Sequence, residues 1–411
     1  MAQINITLSQ DEIMRLIAAD SGEAMRAVLQ EALNAILRAE SDEQIGAARY
    51  ERSEDRADSR NGTRHRALTT RIGTFDLEVP RHREAPFKTL LFENYKRSEA
   101  ALVATMAEMV VAGVSTAKVG RVMRQLCGKS VGKSAVSEAC KALDAVSEAF
   151  RNRPLPGDYL FVMLDATGVK VREDHRVCGR ALQIAVGFTP DGRKEIIGAA
   201  LAASETAESW GEFLESLKAR GLGAPRMFTT DACGGMVSAI QRAYPGVPWQ
   251  RCQAHFTRNI AEAAPKRLRV GLRSELAEMF NCPTVEAARA RRDEILRDYA
   301  EEAPRAMEVL DCGFDDAMTV MELPANMRRP MRTTNYLERL NREVKRRTRA
   351  LGIFPNAASV LRTMGAYLME ENDVWAQSYK VYYLKDRDEL KGREARLAAV
   401  GRRQMELAAA A

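Results

Sequence analysis

Apolar residues in "DEIMRLIAADSGEAMRAVLQEALNAILRAE" recur at three- and four-residue spacing, which predicts helix through most of residues 1–50. The texture changes at once in "RYERSEDRADSRNGTRHRALTTRIGTFDLEVPRHREAPFKT", crowded with Arg, His, Thr and Gly, where only "FDLEVP" alternates like a strand. An extended basic element is expected there. Residues 97–150 return to helical spacing, with amphipathic segments at about 115–126 and 132–146 joined by a short turn around "CGKS". Ser115 and Ser130 are placed to cap, and Gly128 to stop a helix. Helix, tight turn, helix, with Lys133, Ser134, Ser137 and Lys141 on exposed positions, is the layout of a helix-turn-helix.

After "RNRPLPGD" the period falls to two. "YLFVMLDATGVKV" sets Leu160, Val162 and Leu164 on one face of a strand and Phe161, Met163 and Asp165 on the other. "ALQIAVGFTPDGRKEIIGAALAA" reads as a hairpin turning at Pro190-Asp191-Gly192. A helix ending at Gly221, a strand "RMFTTD", a helix around "GGMVSAIQRAY" and a strand in "PWQRCQAHF" follow. Three antiparallel strands and then parallel crossovers imply a mixed sheet covered by helices. Residues 262–325 read as helices without a strand.

Composition narrows the class. The chain has 411 residues, 46% hydrophobic and 29% charged, which describes a globular protein of roughly two to four domains. No stretch approaches the roughly 20 apolar residues of a bilayer crossing, and "MAQINITLSQDEIMRL" lacks a secretory layout, so a cytoplasmic location is expected. Seven cysteines, scattered singly, suggest reduced thiols. A net charge of +6 is only mildly basic, so any case for nucleic acid rests on where the charge sits.

It sits in two places. One is the 50–90 stretch, with Arg60, Arg64, Arg66, Arg71 and Arg81; the other is "RTTNYLERLNREVKRRTR", with Arg339, Lys345, Arg346, Arg347 and Arg349 around two acids. These cations are candidate DNA contacts, as are the polar residues of the second helix above. If 333–347 is a helix, Leu337, Leu340 and Val344 make its apolar stripe, and Glu338 and Glu343 lie about 140° apart around the axis. One crevice cannot take both. Glu338 shares a polar face with Asn335, Asn341 and Arg342, whereas Glu343 lies among arginines suited to ion pairing.

Asp165 and Asp231 each end an apolar strand, where ligands bind in α/β sheets. A strand-end aspartate is often just a turn residue, but two of them with Glu338 as a third would suit a hard divalent cation. Cys252 and His255 have the spacing of half a zinc site, yet no second pair at ligand spacing exists; a place beside the acids, with His255 at a phosphate, or a structural pair are the other readings.

Those motifs together resemble bacterial insertion-sequence transposases of the Mutator superfamily, which carry a DDE triad. The resemblance spans nearly the whole chain: "RNGTRHRALTTRIGTFDLEVPRHR", "VSTAKVGRVMRQLCGKSVGKSAVS", "LDATGVKVRE", "TTDACGGM", "WQRCQAHFTRNI" and "TTNYLERLNREVKRRTRALGIFPN" occur in the family's order. Asp165 is followed by Ala-Thr-Gly where many relatives have an aromatic or Gly. The resemblance implies a multidomain α+β protein: a ribonuclease-H-like mixed α/β core with a helical insertion, preceded by helical and helix-turn-helix DNA-binding parts. The expected divisions are a helical, dimerising 1–50, a basic 51–95, a helix-turn-helix 96–152, a core of 153–261 and 326–385, an insertion of 262–325 and a helical tail of 386–411. It also implies an enzyme that binds terminal inverted repeats, cleaves DNA and joins the 3′-OH to target DNA. Asp165, Asp231 and Glu338 would be catalytic and hold two Mg²⁺ ions, with Mn²⁺ substituting. Double-stranded DNA would be the partner, with a homodimer or higher oligomer on DNA, no membrane, and transposition through a copied circle. The alternatives are a non-catalytic DNA-binding relative or a ribonuclease-H-like nuclease.

Overall fold

A computed structural model describes residues 21–54, 56–70, 73–89, 91, 100–127, 131–383 and 387–410. The chain forms two compact units, the first of residues 1–110 and 114–142, the second of 111–113 and 143–411.

The first unit opens with α1 (Ser21–Ile45), followed by an antiparallel hairpin of β1 (Arg60–Thr70) and β2 (Gly73–His82). Along α1, Leu29, Leu33 and Leu37 pack on Leu68, Phe75, Leu77 and Val79 of the hairpin. β1 escaped the periodicity because basic and polar residues fill nearly all of its positions and Leu68 is its only buried apolar anchor among the described residues. Arg60 is not a free surface cation either. It pairs with Asp42 and donates to the Ala47 carbonyl, tying the hairpin to the end of α1.

The helices α2 (Ala100–Val111), α3 (Thr116–Cys127) and α4 (Lys133–Cys140) follow. Ser115 caps α3 as expected, its hydroxyl accepting the Lys118 N–H at 3.4 Å. The calls on Gly128, Ser130 and Arg71 lie outside the described residues. The expected helix 132–146 is instead broken. α4 tightens into a 3-10 turn at Lys141–Leu143, and α5 (Asp144–Asn152) begins in the second unit. The break lets Leu143 join that unit's core and Asp144 meet the nearly buried Arg362 through two hydrogen bonds of 2.6 and 2.8 Å.

The second unit is built on a five-stranded sheet, with β3 (Phe161–Glu173), β4 (Arg176–Phe188) and β5 (Lys194–Ala202) as an antiparallel meander. α6 (Ala207–Ala219) crosses to β6 (Met227–Thr230), and α7 (Gly234–Ala243) crosses to β7 (Trp249–Arg251), both parallel to β3. The spatial order is β5-β4-β3-β6-β7. β3 is buried on both faces, Val162 and Leu164 against α6 and α7, Phe161 and Met163 against the opposite layer. β7 is shorter than expected, since "CQAHF" turns into α8 (Gln253–Ala263), with Cys252 at its N-cap position.

The described residues after α8 are helical up to the site: α9 (Arg269–Phe280), α10 (Val285–Asp298), α11 (Pro304–Met318), α12 (Ala325–Met331) and α13 (Asn335–Leu351). Leu337, Leu340 and Val344 of α13 are buried as the stripe required. α14 (Ala357–Ala376) and α15 (Arg387–Ala410) complete the unit. Among the described residues no helix is long and apolar enough to cross a membrane.

Gln404 of α15 closes the outer edge of the sheet. Its Oε1 accepts the Trp249 N–H at 2.9 Å, and its Nε2 donates to the Trp249 carbonyl at 2.8 Å. The amide does for β7 what a sixth strand would. Gln404→Ala leaves an edge N–H without its partner and should lower stability by about 1–3 kcal/mol, seen as a lower urea midpoint of the whole chain; an unchanged midpoint would mean that the edge is closed by other means.

Candidate active site

The register of β3 and β6 sets the site. Met163 lies opposite Thr229, so two residues further on Asp165 comes alongside Asp231, on neighbouring strands roughly 4.8 Å apart. The parity that buries Phe161 and Met163 turns Asp165 toward the layer that holds α8 and α13. Asp231 makes the local contact of a turn residue, its Oδ1 accepting the Cys233 N–H at 3.2 Å. Asp165 accepts the Ala166 N–H at 2.8 Å through Oδ1, and the Asn341 amide at 2.8 Å through Oδ2. That last bond ties α13 to β3 across 176 positions of sequence.

On α13, Glu338 and Glu343 part as the helix geometry demands. Glu338 points to α8, with Oε1 3.3 Å from His255 Nε2 and 3.4 Å from Arg258. Glu343 pairs with Arg346 at 3.0 Å and with Arg347 at 2.6 Å. The structure thus brings Asp165, Asp231, His255, Glu338 and Asn341 into one neighbourhood and leaves Glu343 outside it.

Burial dominates the electrostatics of the site. Burial first, and the charge of Asp231 as well, push the Asp165 carboxyl up to about 6, against the charge of His255 and the bonds from Ala166 and Asn341. Burial, then Asp231, also raises Glu205, a carboxylate beside α6 that periodicity gave no reason to single out. His255 is raised to about 9, by its closeness to Cys252 first and by the charges of Asp165 and Glu338, while burial pulls the other way. Its Nδ1 is buried with no hydrogen-bond partner, so the link to Cys252 is electrostatic proximity rather than a formed bond. Burial raises the Cys252 thiol, but the closeness of His255 and the hydrogen bonds from Thr334 outweigh that and hold it below the ordinary value. The Thr334 N–H and hydroxyl both lie 3.3 Å from Sγ, fastening the entry of α13 to that of α8.

Thr334 and Arg258 are further residues that the sequence reading did not single out, although both lie inside the quoted motifs. Among the described residues no three His, Cys, Asp or Glu side chains stand ready around one point to hold a metal ion. Glu338 is engaged by His255 and Arg258, while the charge of His255 also reaches Asp165 and that of Arg251 reaches Asp231.

The basic candidates divide. Arg347 is not a surface cation: its side chain is 14% exposed, and it donates to the Val111 carbonyl at 3.0 Å and stacks over Tyr367 at 3.9 Å besides pairing with Glu343. Arg346 is exposed but paired. Lys345 and Arg349 are exposed, and Arg339 and Arg342 line a trough with Asn335 on the flank of α13. In the first unit Arg64, Arg81, Lys133 and Ser134 are exposed, Arg66 and Ser137 are half-buried, and Lys141 pairs with Glu138 at 2.8 Å.

The chain belongs to the Mutator family of transposases, whose model, described as "Transposase, Mutator family", matches residues 1–378. It is 39% identical over 386 residues to the transposase for insertion sequence element IS256 in transposon Tn4001 of Staphylococcus aureus, covering 93% of this chain and 99% of that protein. The transposase for ISRM5 of Rhizobium meliloti is 37% identical over 377 residues, 92% of this chain and 95% of that one. The transposase for IS1081 of Mycobacterium tuberculosis is 38% identical over 363 residues, 88% of each. The family resemblance read from the motifs is therefore correct.

A group whose pKa is raised on folding binds its proton more tightly in the native state, so its contribution is present at low pH and lost as pH rises through the native value. For Asp165 that window runs from about 4 to about 6. Asp165→Asn should therefore raise the thermal midpoint at pH 7.5 in EDTA by several degrees, and the gain should shrink toward pH 4. Asn341, whose Oδ1 is buried without a partner, can flip its amide to suit the new neighbour. A lower midpoint at pH 7.5 would show that Asp165 is not under electrostatic stress.

Proposed function

We propose that the chain is a DNA transposase that cleaves DNA at the ends of its element and joins the 3′ ends to target DNA by metal-assisted phosphoryl transfer. The observation that carries this is the pairing of Asp165 and Asp231 on adjacent strands, with Asp165 destabilised as an anion and bonded by Asn341 to the helix that carries Glu338. The strand order, an antiparallel meander extended by two parallel crossovers, supports a ribonuclease-H-like core. Two exposed hairpin arginines and the short helices of the first unit support DNA binding there.

The donor set fits a hard divalent cation: carboxylate oxygens, two of them half-buried and near enough for the charge of Asp231, after burial, to help raise Asp165. Asp165, Asp231 and Glu338 would hold Mg²⁺, and ions held there supply Lewis acidity to the attacking and leaving oxygens. The protein's own groups do the rest. Asn341 fixes the Asp165 carboxylate, Thr334 fixes the start of α13, and His255, protonated up to about pH 9, offers a cation beside the phosphate. Glu338, now 3.3 Å from His255, would be a ligand, and the imidazolium would then be open to the substrate phosphate. Joining two ends requires two such sites, so we expect at least a dimer on DNA.

Nicking and strand transfer on duplexes carrying the element's ends, in Mg²⁺, test the assignment. Asp165→Ala, Asp231→Ala and Glu338→Ala should fall to background. Asn341→Ala should retain roughly a tenth to a hundredth of wild-type activity, the usual toll of losing a ligand's support. Glu343→Ala should still cut. Active Glu338→Ala beside inactive Glu343→Ala would sink the choice between the two acids.

A further inference from the structure

The flank of α13 that turns away from Asp165 borders a trough of about 870 Å³, large for a ligand cleft. A second cavity of about 580 Å³ shares Asn335, Tyr336, Lys380 and Tyr382 with it and continues it past Arg329. Arg329, Arg339 and Arg342 are exposed and make no ion pair among the described residues. The two acids of the larger cavity are both engaged, Glu343 by arginines and Glu371 by the Trp375 indole N–H at 2.7 Å.

Aromatic rings line the same space. Lys194, at the start of β5, holds its ammonium 3.7 Å from the Trp375 ring centre and 4.7 Å from that of Tyr336. Tyr336 and Tyr382 meet edge to face at 5.0 Å. Tyr382 is held in place by the bond from its N–H to the Gly192 carbonyl, 2.9 Å, and Gly192 itself, at φ +80°, has Tyr383 O 2.2 Å from where a Cβ would stand. Lys194 makes no ion pair within 4 Å among the described residues; burial pulls its pKa down to about 8, with the charge of Glu371 opposing and those of Lys380 and Arg339 adding to the fall. A half-buried ammonium resting on π faces exchanges a weak partner for a strong one when a phosphate arrives.

We propose that this trough binds an unpaired nucleotide of the DNA strand next to the cleavage site, its base stacked on Trp375 and its phosphate on Lys194 and Arg339. The proposal rests on the DNA reading above. Cations tracking a backbone, interleaved with rings, are how proteins hold single strands. A ring face is of use only to a base out of the duplex stack, so the trough discriminates against blunt duplex. As Lys194 swings from the indole to the phosphate, it yields the ring face to the base. Tyr336, Arg339 and Arg342 share a helix with Glu338 and Asn341, so a nucleotide seated there positions the adjoining phosphodiester toward the acids.

The chain has three tryptophans, and Trp210 and Trp249 are buried, so emission quenching by DNA reports Trp375. Full-length protein in EDTA is titrated with a dT12 oligonucleotide and, separately, with a blunt 12-base-pair duplex. Saturable quenching by dT12, most of it lost in Trp375→Phe, and little by the duplex supports the proposal. Trp375→Ala should weaken dT12 binding about 5- to 150-fold, the range for one stacked base, while duplex affinity changes less than twofold. No quenching by dT12, quenching that persists in Trp375→Phe, or equal quenching by the duplex overturns it. Metal-dependent nicking by the wild type alongside unquenched emission rejects the trough alone. Quenching by dT12 with nicking that survives Asp165→Ala rejects the catalytic reading and leaves a single-strand site standing.

Discussion

Two carboxylates half-buried side by side are the constraint around which the second unit is arranged. A lone buried acid is ordinarily neutral or paired, but Asp165 has only an amide, a peptide N–H and a shared imidazolium to set against burial and Asp231. Asp165 does not end its strand as expected, since β3 runs on to Glu173; the fold keeps the pair because the parallel register, Met163 opposite Thr229, sets a residue within β3 beside Asp231, which follows β6. A helical layer then closes over one side of Asp165, fastened through Asn341 and through Thr334 at Cys252. Stability and function pull in opposite directions at this place, as they do where charge is stored for chemistry.

α13 shows how one helix serves three surroundings. Its apolar stripe seats it on the core, Glu338 and Asn341 face the acids, and Arg339 and Arg342 look into the trough. The density of arginine in this helix, which invites a reading of uniform phosphate contact, conceals a division of labour. Arg347 is a structural residue whose guanidinium is occupied by Glu343, a backbone carbonyl and the Tyr367 ring. Spacing reveals which face a residue occupies but not whether a second layer of protein covers that face.

Much of the second unit was legible because period and turn chemistry agreed there. The β4–β5 turn at Gly192, the stripe of α13 and the separation of Glu338 from Glu343 all follow from angles and alternation. The first unit was harder. β1 carries almost no apolar signal and owes its place to pairing with β2 across the hairpin and to the bond of Arg60 with Asp42, 18 positions away. The interruption after Cys140 was invisible for a similar reason, since Leu143 and Asp144 answer to partners such as Arg362, more than 200 residues away. Thr334, Arg258 and Glu205 enter the site through contacts of the same kind. The aromatic trough gathers Lys194, Tyr336, Trp375 and Tyr382 from four separate segments, and no window of sequence contains it.

The central claim is that Asp165, Asp231 and Glu338 form one metal site. Anomalous diffraction from crystals of the full chain soaked in Mn²⁺ addresses it without reference to activity. A strong peak is expected between Asp165 and Asp231, with Glu338 turned away from His255 and toward the ion. Absence of a peak there, or a peak at Cys252 and His255 with Glu338 still against the imidazole, would contradict it.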